Sequence, residues 1–273
     1  MHFWHMVFHE TSEVAVVVML TQTYESGREK CAQYFPLDAQ SSPMLLQADE
    51  PDASDDEHVE QTGQLSAKIT LLESSFDEKC GSEVRKLELT LGSASKIVWH
   101  FLYSGWPDYS KPEAGNRAAL LKLVEASASK SGPNSPRVVH CSAGVGRTGT
   151  FIALDHLLNE LASGQLLQAT DADADPVFET VNRLREQRMM MVYNEQQLQL
   201  IYEVLREQAD LKLGNITEED LRAASLNRKS AKIAKLVRSD YVPPAKPEFE
   251  SVPDRVPTPT RSWSGTPEVS DNE

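Results

Sequence analysis

Residues 138–149 read VVHCSAGVGRTG. The run opens with β-branched residues, passes into a loop containing Gly144 and Gly146, and continues into the apolar stretch from Thr148 to Ala162. That is a strand, a tight loop and a helix in succession. A loop of this kind can curl so that successive backbone N–H groups point at one anion, and the following helix adds the positive end of its dipole. Glycine allows the backbone angles and close approaches such a curl needs. Arg147 closes the ring with a planar fork suited to two phosphate oxygens. Cys141 stands at the start of the loop and faces that positive centre, surroundings that favour a thiolate and make it a nucleophile. A buried structural cysteine in an ordinary turn is the bland alternative. A cysteine, five small residues and an arginine between strand and helix favour the anion site.

Working outward, a thiolate that attacks phosphorus needs a proton donor for the leaving oxygen. Trp106-Pro107-Asp108 lies on a loop some thirty residues upstream, just after a strand ending near Tyr103. A carboxyl on such a loop can close over a substrate, give its proton and later take one from water. Further elements frame the pair. Val14–Leu20 is continuously apolar, as a strand covered on both faces should be, and the N-terminus reads as a buried strand entered almost at once. Cys31–Phe35, Ala67–Leu72, the alternating Leu87, Leu89 and Leu91, and Lys96–Tyr103 are expected as further strands. Residues 114–129 carry apolar positions at helical spacing. Asp175 and Pro176 mark a helix start, Asn194 caps another helix through Gln208, and Thr217 with Asp220 suggests one more.

The chain has 273 residues, 40% of them hydrophobic, so a sizeable core can form. Its net charge of −14 disfavours phosphate backbones, so no nucleic-acid partner is expected. The three cysteines, Cys31, Cys80 and Cys141, form no disulfide framework and no zinc signature; free thiols suit a reducing compartment. No apolar run approaches the ~18 residues of a membrane span, and no signal peptide is evident. The acidic run 48–60 reads as part of a solvated surface loop, 41–65. Residues 213–240 read as a charged helical extension, and 241–273, rich in Pro, Ser and Thr, as a disordered tail.

These residues resemble the protein tyrosine phosphatase family, in its phosphotyrosine-specific, non-receptor branch. The segments that carry the resemblance are FWHMVFHE, VVMLTQTYESGREKCAQYFP, WPDYS, VVHCSAGVGRTGTF and LREQRMMMVYNEQQLQLIY. They occur in the family's order and cover roughly residues 3 to 209, giving a catalytic domain over 1–212. The resemblance implies an α/β fold, a twisted mixed β-sheet with helices on both faces, and hydrolysis of phosphotyrosine in proteins through a cysteinyl-phosphate intermediate, without metal or cofactor. It implies Cys141 as nucleophile, Ser142, Ala143, Gly144, Val145 and Gly146 as the backbone cradle, and Arg147 as the phosphate-holding guanidinium. Asp108 becomes the general acid and later base, and Trp106 the hinge of its loop. His140 supports the thiolate, Thr148 assists breakdown of the intermediate, and Glu25 and Lys30 form a supporting loop whose glutamate pairs with Arg147. Read without the resemblance, His140 can be a core histidine and Glu25 a solvated turn residue.

The sequence departs from the family in two places. Tyr193 stands where a glutamine usually positions the hydrolytic water; Gln197 matches a second glutamine, or merely completes a capping box behind Asn194. No Asn-Arg-Tyr recognition loop occurs, since Asn116-Arg117, Asn182-Arg183 and Asn227-Arg228 are followed by other residues. The domain is therefore expected to be N-terminally incomplete, and a phosphotyrosine-binding or scaffold module without turnover is the alternative function. The basic-apolar stretch Arg228–Val237 resembles a docking segment for mitogen-activated kinases and also fits a plain amphipathic surface helix, the more ordinary reading. Thr258-Pro259 and Thr266-Pro267 are candidate phosphorylation sites. The expected location is the cytoplasm, or the nucleus.

Overall fold

The computed structural model describes residues 2–46, 66–112, 115–132, 135–168 and 174–224. The kinase-docking stretch, the threonine-proline pairs, the tail and most of the acidic loop lie outside the described residues. Those described fall in one compact unit, Met1–Ser230.

The chain opens with α1 (His2–Glu10) rather than the expected strand, which begins only at β1 (Val14–Met19). A short hairpin follows, β2 (Tyr24–Glu25) and β3 (Arg28–Glu29), turned by Ser26 and Gly27, both at positive φ. Positive φ at both central residues is the twist-matched geometry for a two-residue hairpin. Cys31–Phe35 forms no strand. Its backbone is held instead by single contacts, such as Trp4 Nε1 donating to the Tyr34 carbonyl at 2.9 Å, while Phe35 is buried as a core side chain. Met44–Leu46, within the segment expected as a loop, is strand β4. Then come β5 (Ala67–Asp77), β6 (Ser82–Leu91), β7 (Ala94–Tyr103), α2 (Gly115–Lys130), β8 (Arg137–His140), α3 (Gly146–Ser163), α4 (Pro176–Gln187) and α5 (Glu195–Leu213). The helix starts read from sequence hold: Asp175 caps α4 and Asn194 caps α5, each accepting from a backbone N–H. Thr217 and Asp220 exchange reciprocal bonds ahead of helical residues 218–224.

One twisted six-stranded sheet results, in the order β4-β5-β6-β7-β1-β8. The first four strands are antiparallel neighbours, whereas β7, β1 and β8 run parallel. The mixed sheet with helices on both faces is the expected architecture. Strand β1 is flanked on both sides, by β7 and β8, and is buried from Ala15 to Met19, which explains its unbroken apolar run. Val17 and Met19 face Trp4 and Val7 of α1, while Val16, Val18 and Leu20 face the core with α2, α3, α4 and α5. No helix among the described residues is long and apolar enough to cross a membrane.

Candidate active site

The sheet order itself assembles the site. The chain leaves β7, crosses through α2 and returns as β8, leaving between them the gap that β1 fills. Three parallel strands therefore end on one side, where open α/β sheets place ligands. From the end of β1 come Thr21 and Glu25, from β7 Trp106 and Asp108, and from β8 the run Cys141–Arg147.

That run is a loop folded onto the start of α3. Gly144 has φ +70°, a conformation that disfavours any side chain. Cys141 is buried at the loop's base and Arg147, 2% exposed, lies in the first turn of α3. The Val145 carbonyl accepts from both Gly149 N (3.0 Å) and Val192 N (3.2 Å), tying the loop to the turn before α5. Arg188 Nη2 donates to the Ala143 carbonyl at 3.1 Å on the outer side.

The Arg147 guanidinium joins all three strand ends. Its Nη1 donates to Glu25 Oε1 at 2.7 Å and to the Trp106 carbonyl at 3.2 Å. Its Nη2 donates to Thr21 Oγ1 at 3.2 Å and lies 3.4 Å from Asp108 Oδ1. Asp108 Oδ2 also takes Lys30 Nζ at 2.6 Å. Burial alone would raise the Glu25 carboxyl, but hydrogen bonds from Arg147, from the Gln22 N–H and from Thr21 hold it below its ordinary value. Glu25 is thus no solvated turn residue. Trp106 is 1% exposed and donates from Nε1 to the Ser110 carbonyl at 2.8 Å, closing the Asp108 loop on itself.

Behind the cysteine runs a buried polar chain that the sequence reading did not identify. Tyr34 Oη lies 2.6 Å from His140 Nε2 and 2.8 Å from His100 Nε2. His140 Nδ1 is 3.1 Å from the Cys141 carbonyl, which can only accept, so this nitrogen carries the proton. His140 is held below its ordinary value, chiefly by burial, and its bare Nε2 accepts the Tyr34 proton. The Tyr34 oxygen then accepts from His100 Nε2–H, leaving His100 Nδ1 bare and without a partner among the described residues. His100 is held well below its ordinary value, first by burial and then by Arg85 and His140. Tyr34 lies in the quoted KCAQYFP segment, but only the tertiary fold brings it between two histidines distant in sequence.

The start of α5 forms the outer wall. Gln197 is 3% exposed, and its amide sits where a Cβ on Gly146 would be 3.0 Å away. Its Oε1 accepts from Tyr193 N at 3.0 Å, one residue ahead of the cap, so it does not complete a capping box with Asn194. Tyr193 flanks the cradle and its ring lies 6.1 Å from that of Tyr109. The Thr148 hydroxyl is buried with no partner among the described residues. The catalytic, cradle and supporting residues that the resemblance implies therefore lie at or beside this one constellation.

A family model for protein-tyrosine phosphatase matches residues 1–207. The chain is 34% identical over 205 residues to tyrosine-protein phosphatase 2 of Schizosaccharomyces pombe, an alignment covering 74% of this chain and 26% of that protein. The catalytic domain of human protein tyrosine phosphatase non-receptor type 18 superposes with a TM-score of 0.58 at 26% identity, over 76% of this chain and 64% of that one. The same phosphatase, PTPN18, has been solved in complex with HER2 phosphopeptides. Protein tyrosine phosphatase TcPTP1 of Trypanosoma cruzi gives a TM-score of 0.60 at 26% identity, over 77% of this chain and 65% of that one. The chain thus spans about a quarter of the yeast protein's length and just under two thirds of the solved domains. On the sheet, the cradle and these matches together, the chain belongs to the protein-tyrosine phosphatase family.

Proposed function

We propose that the chain hydrolyses phosphotyrosine in proteins through a cysteinyl-phosphate intermediate. The observation that carries this reading is the buried Arg147, held between Glu25 and Asp108 at the mouth of a loop that begins with Cys141. In the first step the Cys141 sulfur bonds to phosphorus while the bond to the tyrosine oxygen breaks, and Asp108 gives that oxygen its proton. In the second, Asp108 takes a proton from water, the water oxygen bonds to phosphorus, and the sulfur leaves as thiolate with release of phosphate. The amides of residues 142–146 and the Arg147 fork carry the equatorial charge. His140 supports the thiolate, and Thr148 offers its hydroxyl to the departing sulfur. Trp106 anchors the acid loop through its carbonyl contact with Arg147, and Lys30 orients Asp108. The phosphopeptide complexes of PTPN18 support this substrate class.

Turnover of para-nitrophenyl phosphate by the purified chain, with a chelator present, tests the reading. Steady release that vanishes in Cys141→Ser supports it, and activity surviving in that variant overturns the covalent route. One observation favours a second reading: Tyr193 has no side-chain amide to hold the second-step water, which leaves only that of Gln197 beside the cradle. A binding module would then retain phosphotyrosine peptide without releasing phosphate in the same assay. Cytoplasmic or nuclear signalling, with mitogen-activated kinases among the substrates, belongs to the proposal through the basic-apolar stretch 228–237. Equal recovery of such kinases with and without residues 226–240 would end that part.

A further inference from the structure

The residue after the proposed acid, Tyr109, has φ +57°. A left-handed backbone is costly for an aromatic residue and persists only where its surroundings hold it. Two contacts reach across from the start of α5. Asn194 Nδ2 donates to the Tyr109 carbonyl at 3.0 Å, and the Tyr193 ring meets the Tyr109 ring at 6.1 Å. The Asn194 side chain is itself fixed, because its Oδ1 caps α5 by accepting from Gln197 N at 3.0 Å. Gln197 in turn packs against Gly146 of the cradle. One amide therefore bonds through its oxygen to the helix that braces the cradle and through its nitrogen to the loop that carries Asp108.

We propose that Asn194, assisted by Tyr193, is a positioning residue that latches the Asp108 loop over the cradle by holding the Tyr109 backbone. The proposal rests on the phosphatase reading for its kinetic consequence, not for the latch itself. Neither side chain touches the reacting atoms. The latch keeps Asp108 between Lys30 and Arg147, where its carboxyl can reach the leaving oxygen. Without it the loop relaxes, the proton arrives late, and only substrates whose leaving group needs a proton suffer.

Asn194→Asp is the discriminating variant. Aspartate preserves the cap on α5 but has no N–H for the Tyr109 carbonyl. Tyr193→Ala, which keeps the backbone bond to Gln197, removes the ring contact alone. For Asn194→Asp we expect kcat/KM on phenyl phosphate, a poor leaving group, to fall about 10- to 100-fold, part of the roughly 10²- to 10⁴-fold that a general acid supplies. On 2,4-dinitrophenyl phosphate, whose leaving group needs no proton, it should change less than about threefold. Backbone amides of residues 105–111 should exchange with deuterium about five- to tenfold faster, as loss of one hydrogen bond allows, while those of α5 stay protected. Tyr193→Ala should shift both readouts the same way by less. Equal losses on both esters, or unchanged exchange in the loop, would overturn the latch. Should the unaltered chain turn over neither ester, the phosphatase reading fails, and the exchange comparison still decides the latch.

Discussion

Glu25 shows what a single buried contact does in this site. Its carboxylate accepts from Arg147, from Thr21 and from the Gln22 N–H, and its side chain is 12% exposed. Replacing Glu25 with glutamine keeps the shape but removes the charge opposite a nearly buried guanidinium. A hydrogen bond between charged groups is worth about 1.5–3 kcal/mol, so urea unfolding of Glu25→Gln should show a loss of that order. A change below about 0.5 kcal/mol, the level of an ordinary surface substitution, would mean that Asp108 takes over the pairing. The partnership of Glu25 with Arg147 was legible only through the resemblance, since local sequence leaves Glu25 free to be a turn residue. Thr21, Tyr34 and His100 were not legible at all. Each acts through an atom that meets its partner only when β1, β7 and β8 lie side by side, and nothing in a local pattern marks such a meeting.

Gly149 carries the same lesson to the junction of α3 with the turn before α5. A Cβ at Gly149 would sit 2.6 Å from the Val192 nitrogen. That turn cannot yield easily. Arg185 donates from Nε to the Met191 carbonyl and from Nη2 to the Val192 carbonyl, both at 2.9 Å, and Val192 is itself at φ +57°. In a free helix alanine would be favoured over glycine by about 1 kcal/mol. Here overpacking against fixed backbone should win, so Gly149→Ala is expected to lower stability by about 1–3 kcal/mol, read as a lower urea midpoint. A rise in the midpoint would show the turn to be adaptable. Elements whose pattern is local are legible in the sequence: the covered strand β1, the alternating leucines of β6 and the capped starts of α4 and α5. Helix α1 reads from sequence as part of a strand although Phe3, Trp4, Val7 and Phe8 lie at helical spacing, because the valine-rich run beside it dominates the window. Cys31–Phe35 misleads for the opposite reason. Its aromatic residues are buried as plugs against α1 and the sheet rather than as ladder members.

At the scale of the molecule two electrostatic effects oppose each other as pH falls from 7. The net charge is −14 with histidines neutral, and the sequence pI is about 5.0, so acidification towards pH 5 relieves self-repulsion and favours the folded state. Buried neutral histidines act the other way. His100 and His140 are both held below their ordinary value of 6.5. Unfolding lets them bind protons that the folded state refuses, so their contribution is full above about pH 6.5 and is lost as pH falls through the lower folded values. Each costs at most about 1.4 kcal/mol per pH unit in that window. Glu25 adds a loss of the same sign, but only below its ordinary value of 4.5. Salt separates the two effects, because diffuse surface repulsion is screened within about 3 Å at 1 M, whereas the buried histidines are screened much less. In 1 M sodium chloride, stability should therefore decline from pH 7 to 5, and the decline should be shallower in His100→Gln by up to about 1.4 kcal/mol per pH unit. At low salt the same decline should be partly masked. A profile that is flat at high salt, or one that His100→Gln leaves unchanged, would show that the Tyr34-linked histidines take up protons in the folded chain as readily as in the unfolded one.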